Sequence, residues 1–142
     1  MKAVCTREEA IELIGRLYAC RPKDYFGKID DSRKGSGFIL ICLHGSDHDV
    51  LAGELAKELN VSTARIAALL KTMEKNGLVE RFHPASDARQ TVVRLTAAGN
   101  DEAEKLKECI IEKTMHLVDR VGRKDLDEFI RISGKICEAC SE

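Results

Sequence analysis

Apolar residues recur along most of this chain at intervals of three and four, the spacing of helices that bury one face. Thr6 stands three residues ahead of Glu9 in the form of a capping box, and Ile11, Ile14, Leu17 and Tyr18 continue at helical spacing. This predicts a first helix from about Arg7 to Cys20, stopping near Pro22. Lys28 to Gly37 is polar, with Asp30, Asp31, Ser32, Gly35 and Ser36, and reads as a loop or a weakly held helix end. The apolar run Phe38 to Leu43 reads as a second helix. From Leu51, the residues Leu51, Leu55 and Leu59, with Ala52 and Ala56, lie on one helical face that Asn60 ends. Ser62 or Thr63 caps the next helix, where Ile66, Leu69, Leu70 and Met73 repeat the pattern until Asn76-Gly77 supplies a left-handed stop.

Two short amphipathic helices a few residues apart form a helix-turn-helix. The period then changes. Leu78 to His83 is strand-like, Pro84 to Arg89 is turn-rich, and Thr91 to Leu95 is β-branched and alternating, which predicts a two-stranded hairpin with a long loop. The tail is helical again: Ala103, Leu106, Ile110, Leu117 and Val121 share a stripe, Gly122 breaks it, and Leu126, Phe129, Ile130, Ser133 and Ile136 continue in a last helix. Asp125 and Glu128 repeat the capping-box spacing at its start. The fold expected is mainly α with a small β-hairpin wing, a winged helix-turn-helix flanked by N- and C-terminal dimerisation helices. It is read as a single domain over 1–142, with a DNA-binding core at 37–96 and helical arms at 1–26 and 97–142.

Charge sharpens this picture. The chain has a formal net charge of -1, yet residues 61–94 hold Arg65, Lys71, Lys75, Arg81, Arg89 and Arg94 against Glu74, Glu80 and Asp87. A basic centre in an acidic remainder suits a polyanionic partner at that centre. Charged residues interrupt the first twenty positions and no apolar run approaches membrane-spanning length, so a cytoplasmic protein without a membrane partner is expected. In that setting the 6 cysteines read as thiols rather than a disulfide framework.

On the second helix of the pair, Ala64, Ala68, Lys71 and Lys75 fall opposite the apolar face, flanked by Arg65 and Thr72. Small residues near its N-terminal end let the backbone approach base edges, the two lysines suit phosphates, and Arg65 is the first candidate for a base contact. Any amphipathic helix also exposes lysines, so this face alone does not decide. Arg89 at the hairpin tip adds a cation suited to a narrow, negative minor groove. No nucleophile elbow, zinc-protease motif or phosphate loop occurs, so neither catalysis nor a cofactor is expected. His44, Asp47, His48 and Asp49 have zinc-binding chemistry but sit in a segment that reads as a helix-capping loop. Cys137 and Cys140 form a single C-x-x-C, read as structural thiols rather than a metal or redox site.

The segment Val50 to Gly99 resembles the DNA-binding core of the MarR-type (multiple antibiotic resistance) regulators. The resemblance is carried by Glu74-Lys75-Asn76-Gly77-Leu78-Val79 and by Asp87, Arg89, Val93, Leu95, Thr96 and Gly99, similar to that family's wing signature D-x-R-x-x-x-V-x-L-T-x-x-G. It implies a homodimeric regulator of double-stranded DNA acting on a pseudo-palindromic operator, commonly a repressor relieved by a small-molecule effector, with Asp87 orienting Arg89 for the minor groove. Ser62, Thr63, Ala64, Arg65, Ala68, Lys71, Thr72, Lys75, Asp87 and Arg89 are then the expected DNA-binding residues. The apolar stripes at Ile11, Ile14, Leu17, Phe129, Ile130 and Ile136 exceed what one small domain can bury and are the expected dimer contacts. The chain departs from the family's peroxide sensors, which carry a cysteine ahead of a Leu-Tyr-Ala segment; here Gly15-Arg16 precede Leu17-Tyr18-Ala19, and Cys20 follows. Two alternatives stand beside this reading: a metal or thiol sensor of the same fold, and a winged-helix protein-interaction module without DNA function.

Overall fold

The computed structural model describes residues 4–19 and 34–140. Cys20, the stop at Pro22 and the acidic stretch Asp30–Ser32 lie outside the described residues. The elements are α1 (Arg7–Ala19), α2 (Lys34–His44), β1 (Val50–Leu51), α3 (Ala52–Leu59), α4 (Thr63–Lys75), β2 (Val79–Phe82), β3 (Val92–Leu95), α5 (Ala97–Val121) and α6 (Arg123–Cys140). They divide into two compact units, one holding residues 34–107 and the other residues 4–19 and 108–140.

The first unit is built on a core of Ile39, Leu40, Leu43, Val50, Leu55, Ala56, Ile66, Leu70, Met73, Val79, Val93 and Ala103. Those residues are the apolar face of each helix and the inward face of each strand, so helical and strand periods meet in one interior. Asn60 takes a left-handed φ of 55° after α3, and the chain enters α4 three residues later. Ser62 accepts the Arg65 N–H at 3.2 Å and is the cap, with Thr63 the first helical residue. Gly77 follows α4 with a φ of 75°, a conformation that favours glycine.

Two sequence expectations change here. The wing is a three-stranded antiparallel sheet, β1-β3-β2, rather than a hairpin alone: Val79 pairs with Leu95, Phe82 with Val92, and β1 adds Val50 opposite Val93. Leu51, expected as the first helical residue, is extended at φ -88° and ψ 146°, and the Thr91 carbonyl accepts the Ala52 N–H at 2.9 Å, satisfying the start of α3. Two residues are too few for alternation to reveal a strand. Of the two readings open for the polar stretch to Gly37, a loop or a helix end, its last residues take the second, because α2 begins at Lys34. Its glycines serve close packing: a Cβ on Gly35 would stand 2.9 Å from a Leu69 methyl, and one on Gly37 would stand 3.2 Å from Leu106.

In the second unit, Cys5, Ala10, Leu13, Ile111, Val118, Leu126 and Ile130 form the core, with Ile14, Leu17 and Met115 packed against it. The capping box at α1 closes both ways, Thr6 N–H to Glu9 at 2.9 Å and Glu9 N–H to the Thr6 hydroxyl at 3.2 Å. Arg16 ties α1 to α6 through Asp127 at 2.8 Å, and the guanidinium holds that carboxyl below its ordinary range. Gly122, at φ 95°, separates α5 from α6. Since α6 starts at Arg123, Asp125 sits within its first turn instead of capping it, and Glu128 pairs with Arg131.

Candidate nucleic-acid interface

In α4, Ile66, Leu70 and Met73 are buried and fix the helix against the core, which turns Thr63, Ala64, Ala68, Lys71, Thr72 and Lys75 to solvent. Ser62 is exposed at the cap, and Arg65 is half-buried. One hydroxyl is already engaged: Thr72 donates to the Ala68 carbonyl at 3.2 Å, so toward a ligand it offers a methyl group and lone pairs.

Asp87 and Arg89 are both exposed in the loop 83–91 between β2 and β3. Asp87 acts on the main chain: its carboxylate accepts the Arg89 N–H at 3.0 Å, and its carbonyl accepts the Gln90 N–H at 3.2 Å. Any orientation of Arg89 by Asp87 therefore runs through a folded backbone turn. A groove of about 380 Å³ joins the wing to the helix pair, with Arg89, Gln90 and Thr91 on one side and Thr63, Ala67 and Gly53 on the other. Ala67, Gln90 and Thr91 were not among the residues the sequence singled out. A small residue beside the apolar stripe and the two residues after a wing cation are signals that could have raised them.

The basic residues of this segment divide in two. Arg81 donates its backbone N–H, Nε and an Nη to Glu74 at 3.2 Å each, tying β2 to the end of α4 and holding the Glu74 carboxyl below its ordinary value. Arg94 grips Asp49 with two bonds of 3.0 Å and stacks 4.4 Å from the Phe82 ring centre. These two arginines serve the scaffold. The long-range partner Asp49 is invisible in the local sequence, where Arg94 reads as one of the cations of the basic centre.

The signature residues after the wing are architectural. Thr96 accepts the Gly99 N–H at 3.0 Å as the cap of α5 and donates its hydroxyl to the Gly77 carbonyl at 2.5 Å. Its own N–H reaches the Leu78 carbonyl at 3.0 Å. Gly99 lies so close to that carbonyl that a Cβ would stand 2.0 Å from its oxygen.

Of the expected dimer residues, Ile130 is buried in the core of the second unit, and Ile14 and Leu17 pack partly against it. Phe129 is 58% exposed, Ile11 44% and Ile136 40%, and Leu117, Val121 and Ile132 join them as exposed apolar residues. Among the described residues no group of three or more His, Cys, Asp or Glu side chains converges on a metal position. His48 instead bonds Asp47 at 3.0 Å, which raises the imidazole and lowers the carboxyl from their ordinary values, while His44 lies 3.4 Å from Asn100. Burial pushes the Cys5 and Cys42 thiols up. The side chains of Cys20 and Cys140 lie outside the described residues. No helix among the described residues is long and apolar enough to cross a membrane.

Residues 35–91 match the model of the MarR family. Among curated proteins, the HTH-type transcriptional repressor YetL of Bacillus subtilis (strain 168) is 27% identical over 103 residues, covering 72% of this chain and 62% of the relative. The chain thus spans less than two thirds of that relative's length. Among solved structures, the S. aureus MepR-DNA complex superposes with a TM-score of 0.69 at 18% identity, covering 95% of this chain and 98% of that chain. AbsC, a MarR family transcriptional regulator from Streptomyces coelicolor, gives 0.67 at 23% identity, covering 92% and 88%. The matched segment holds the helix-turn-helix and the wing loop as far as Thr91, and over that segment the chain is similar to the MarR family.

Proposed function

We propose that this chain is a sequence-specific, double-stranded DNA-binding transcription regulator, a cytoplasmic homodimer that represses from a pseudo-palindromic operator and is released by a small-molecule effector. The observation that carries the reading is the groove in which Arg89 of the wing stands across from Thr63 and Ala67 of α4, so that one duplex can meet both. In this reading α4 enters the major groove with Ser62, Thr63, Ala64, Arg65 and Ala68 toward base edges. Lys71 and Lys75 meet phosphates beside Thr72, and the loop held by Asp87 carries Arg89 to the adjacent minor groove. That the similar MepR structure is a complex with DNA supports the assignment.

The exposed apolar residues of α1, α5 and α6, Ile11, Leu117, Phe129, Ile132 and Ile136 among them, support self-association, with Ile14 and Leu17 at its edge. Ile130 then contributes from beneath, by shaping the core under that surface. A two-fold dimer presents two reading heads, so the preferred site is a dyad of roughly 15 to 20 base pairs, bound with a steep salt dependence. Selection of the full chain on random duplexes, followed by an anisotropy titration over a salt series, tests this. Enrichment without a dyad, or affinity indifferent to salt, would overturn it.

A further inference from the structure

The wing loop 83–91 is long for a hairpin, and its internal backbone N–H bonds fold it on itself without closing its neck: Asp87 N–H to the Pro84 carbonyl at 3.2 Å, Gln90 N–H to the Asp87 carbonyl at 3.2 Å, and Arg89 N–H to the Asp87 carboxylate at 3.0 Å. Continuing the β2-β3 register, in which Phe82 faces Val92, sets Pro84 opposite Gln90. Proline has no N–H to offer across the ladder. The Gln90 carbonyl is met instead by the imidazole of His83, whose Nδ1 lies 2.8 Å from it.

We propose that His83 is a positioning residue of the interface, its imidazole closing the neck of the wing loop so that Arg89, one residue before the gripped carbonyl, is presented to the duplex from a fixed base. This rests on the DNA-binding reading above. A carbonyl only accepts, so Nδ1 must carry the proton, and the neutral ring is held as the Nδ1–H tautomer with Nε2 left as an acceptor. The exposed position of His83 means that the bond acts on the loop and not on the core.

The test compares the full-length protein with His83→Ala, His83→Asn and His83→Asp, each with and without Arg89→Ala, in titrations of the selected duplex. Asparagine can place an amide N–H where Nδ1 stands, alanine removes the donor, and aspartate sets an acceptor against the carbonyl. One net hydrogen bond corresponds to roughly two- to tenfold in affinity. His83→Ala and His83→Asp are therefore expected to weaken binding by about that factor, with His83→Asn within about twofold of wild type. Arg89→Ala should cost less in the His83→Ala background than in wild type, because an arginine on a loose loop has already lost part of its contribution. Nitrogen-15 spectra of the wild-type protein at neutral pH supply a second reading, with His83 expected as the Nδ1–H tautomer. Wild-type affinity in His83→Ala, strict additivity with Arg89→Ala, or an Nε2–H tautomer would each overturn the positioning role alone. A wild-type chain that bound no duplex at all would overturn it together with the DNA reading on which it rests.

Discussion

Replacing Gly99 by alanine tests the packing on which the wing signature depends. The new Cβ would lie 2.0 Å from the Leu78 carbonyl oxygen, 3.0 Å from its carbon and 3.1 Å from a Leu95 methyl. The first of these is backbone, so a rotamer change cannot relieve it, and α5 must move away from the turn after α4 by about 1 Å or more to restore ordinary contact. That carbonyl also accepts the Thr96 N–H at 3.0 Å, and displacement strains the bond. Overpacking costs about 1–3 kcal/mol. The weakened hydrogen bond adds about 0.5–1.5 kcal/mol. The better helix propensity of alanine offsets about 1 kcal/mol. A net loss of about 2 kcal/mol lowers Tm by roughly 6–8 °C in a chain of this size. Gly134→Ala is the control, because nothing lies within 4 Å of its Cβ position in the middle of α6. That variant should gain about 0.5–1 kcal/mol. Melts by circular dichroism at matched protein concentration decide, and a Gly99→Ala protein as heat-stable as wild type would refute the close-approach argument.

Arg89→Ala should weaken specific and non-specific duplexes alike and flatten the salt slope by about one unit, whereas Arg65→Ala should cost about 1–3 kcal/mol on the selected site and relax one base position; equal losses on both duplex types for Arg65→Ala would contradict its base-reading role. Glu74 titrates below its ordinary value of 4.5 because Arg81 bonds its charged form, so the pair stabilises the fold above that value and the contribution fades as pH falls through the depressed one. Glu74→Gln should therefore melt below wild type near about pH 7 and converge with it in acid, and a gap independent of pH would disprove the charge assignment. Phe129→Asp, at the most exposed aromatic position of α6, should shift the light-scattering mass at about micromolar concentration from dimer to monomer with helicity retained; an unchanged dimer would remove that face from the interface. A thiol reagent should modify exposed Cys109 well before buried Cys5, and the reverse order by peptide mass mapping would contradict the burial of Cys5.

The helix-turn-helix was legible because a 3.6-residue period survives any tertiary context that buries one face, and Ile66, Leu70 and Met73 are buried as that period requires. The wing strands were legible from the strand-like run that follows the left-handed Gly77 and from the β-branched residues between Thr91 and Leu95. What escaped has a common cause: it is set by partners distant in sequence. Val50 and Leu51 are a strand only because β3 lies beside them. Gly35 and Gly37 read as loop or helix-end residues, since glycine marks both turns and tight helix contacts, and the choice depends on Leu69 and Leu106. Arg94 reads as a free surface cation until Asp49, 45 residues away, takes it.

The same distinction divides the wing signature itself. Val93 is buried in the sheet, Thr96 caps α5 while holding the Gly77 carbonyl, and Gly99 is the point where α5 meets Leu78, so these residues fix where α4 ends relative to the wing. Asp87 folds the loop through backbone bonds. Arg89 is the residue of the signature that can reach a ligand with a charge. A motif of this composition carries geometry more than sequence preference, and base discrimination is left to the exposed face of α4, where Ala64, Arg65 and Ala68 can change without disturbing the core beneath. Gly99→Ala and Arg89→Ala should then act as opposites: the first lowers stability and carries DNA binding down with it, while the second leaves the melt unchanged and weakens binding alone. A glycine variant that lost DNA at full thermal stability would show that this part of the signature reads the duplex directly.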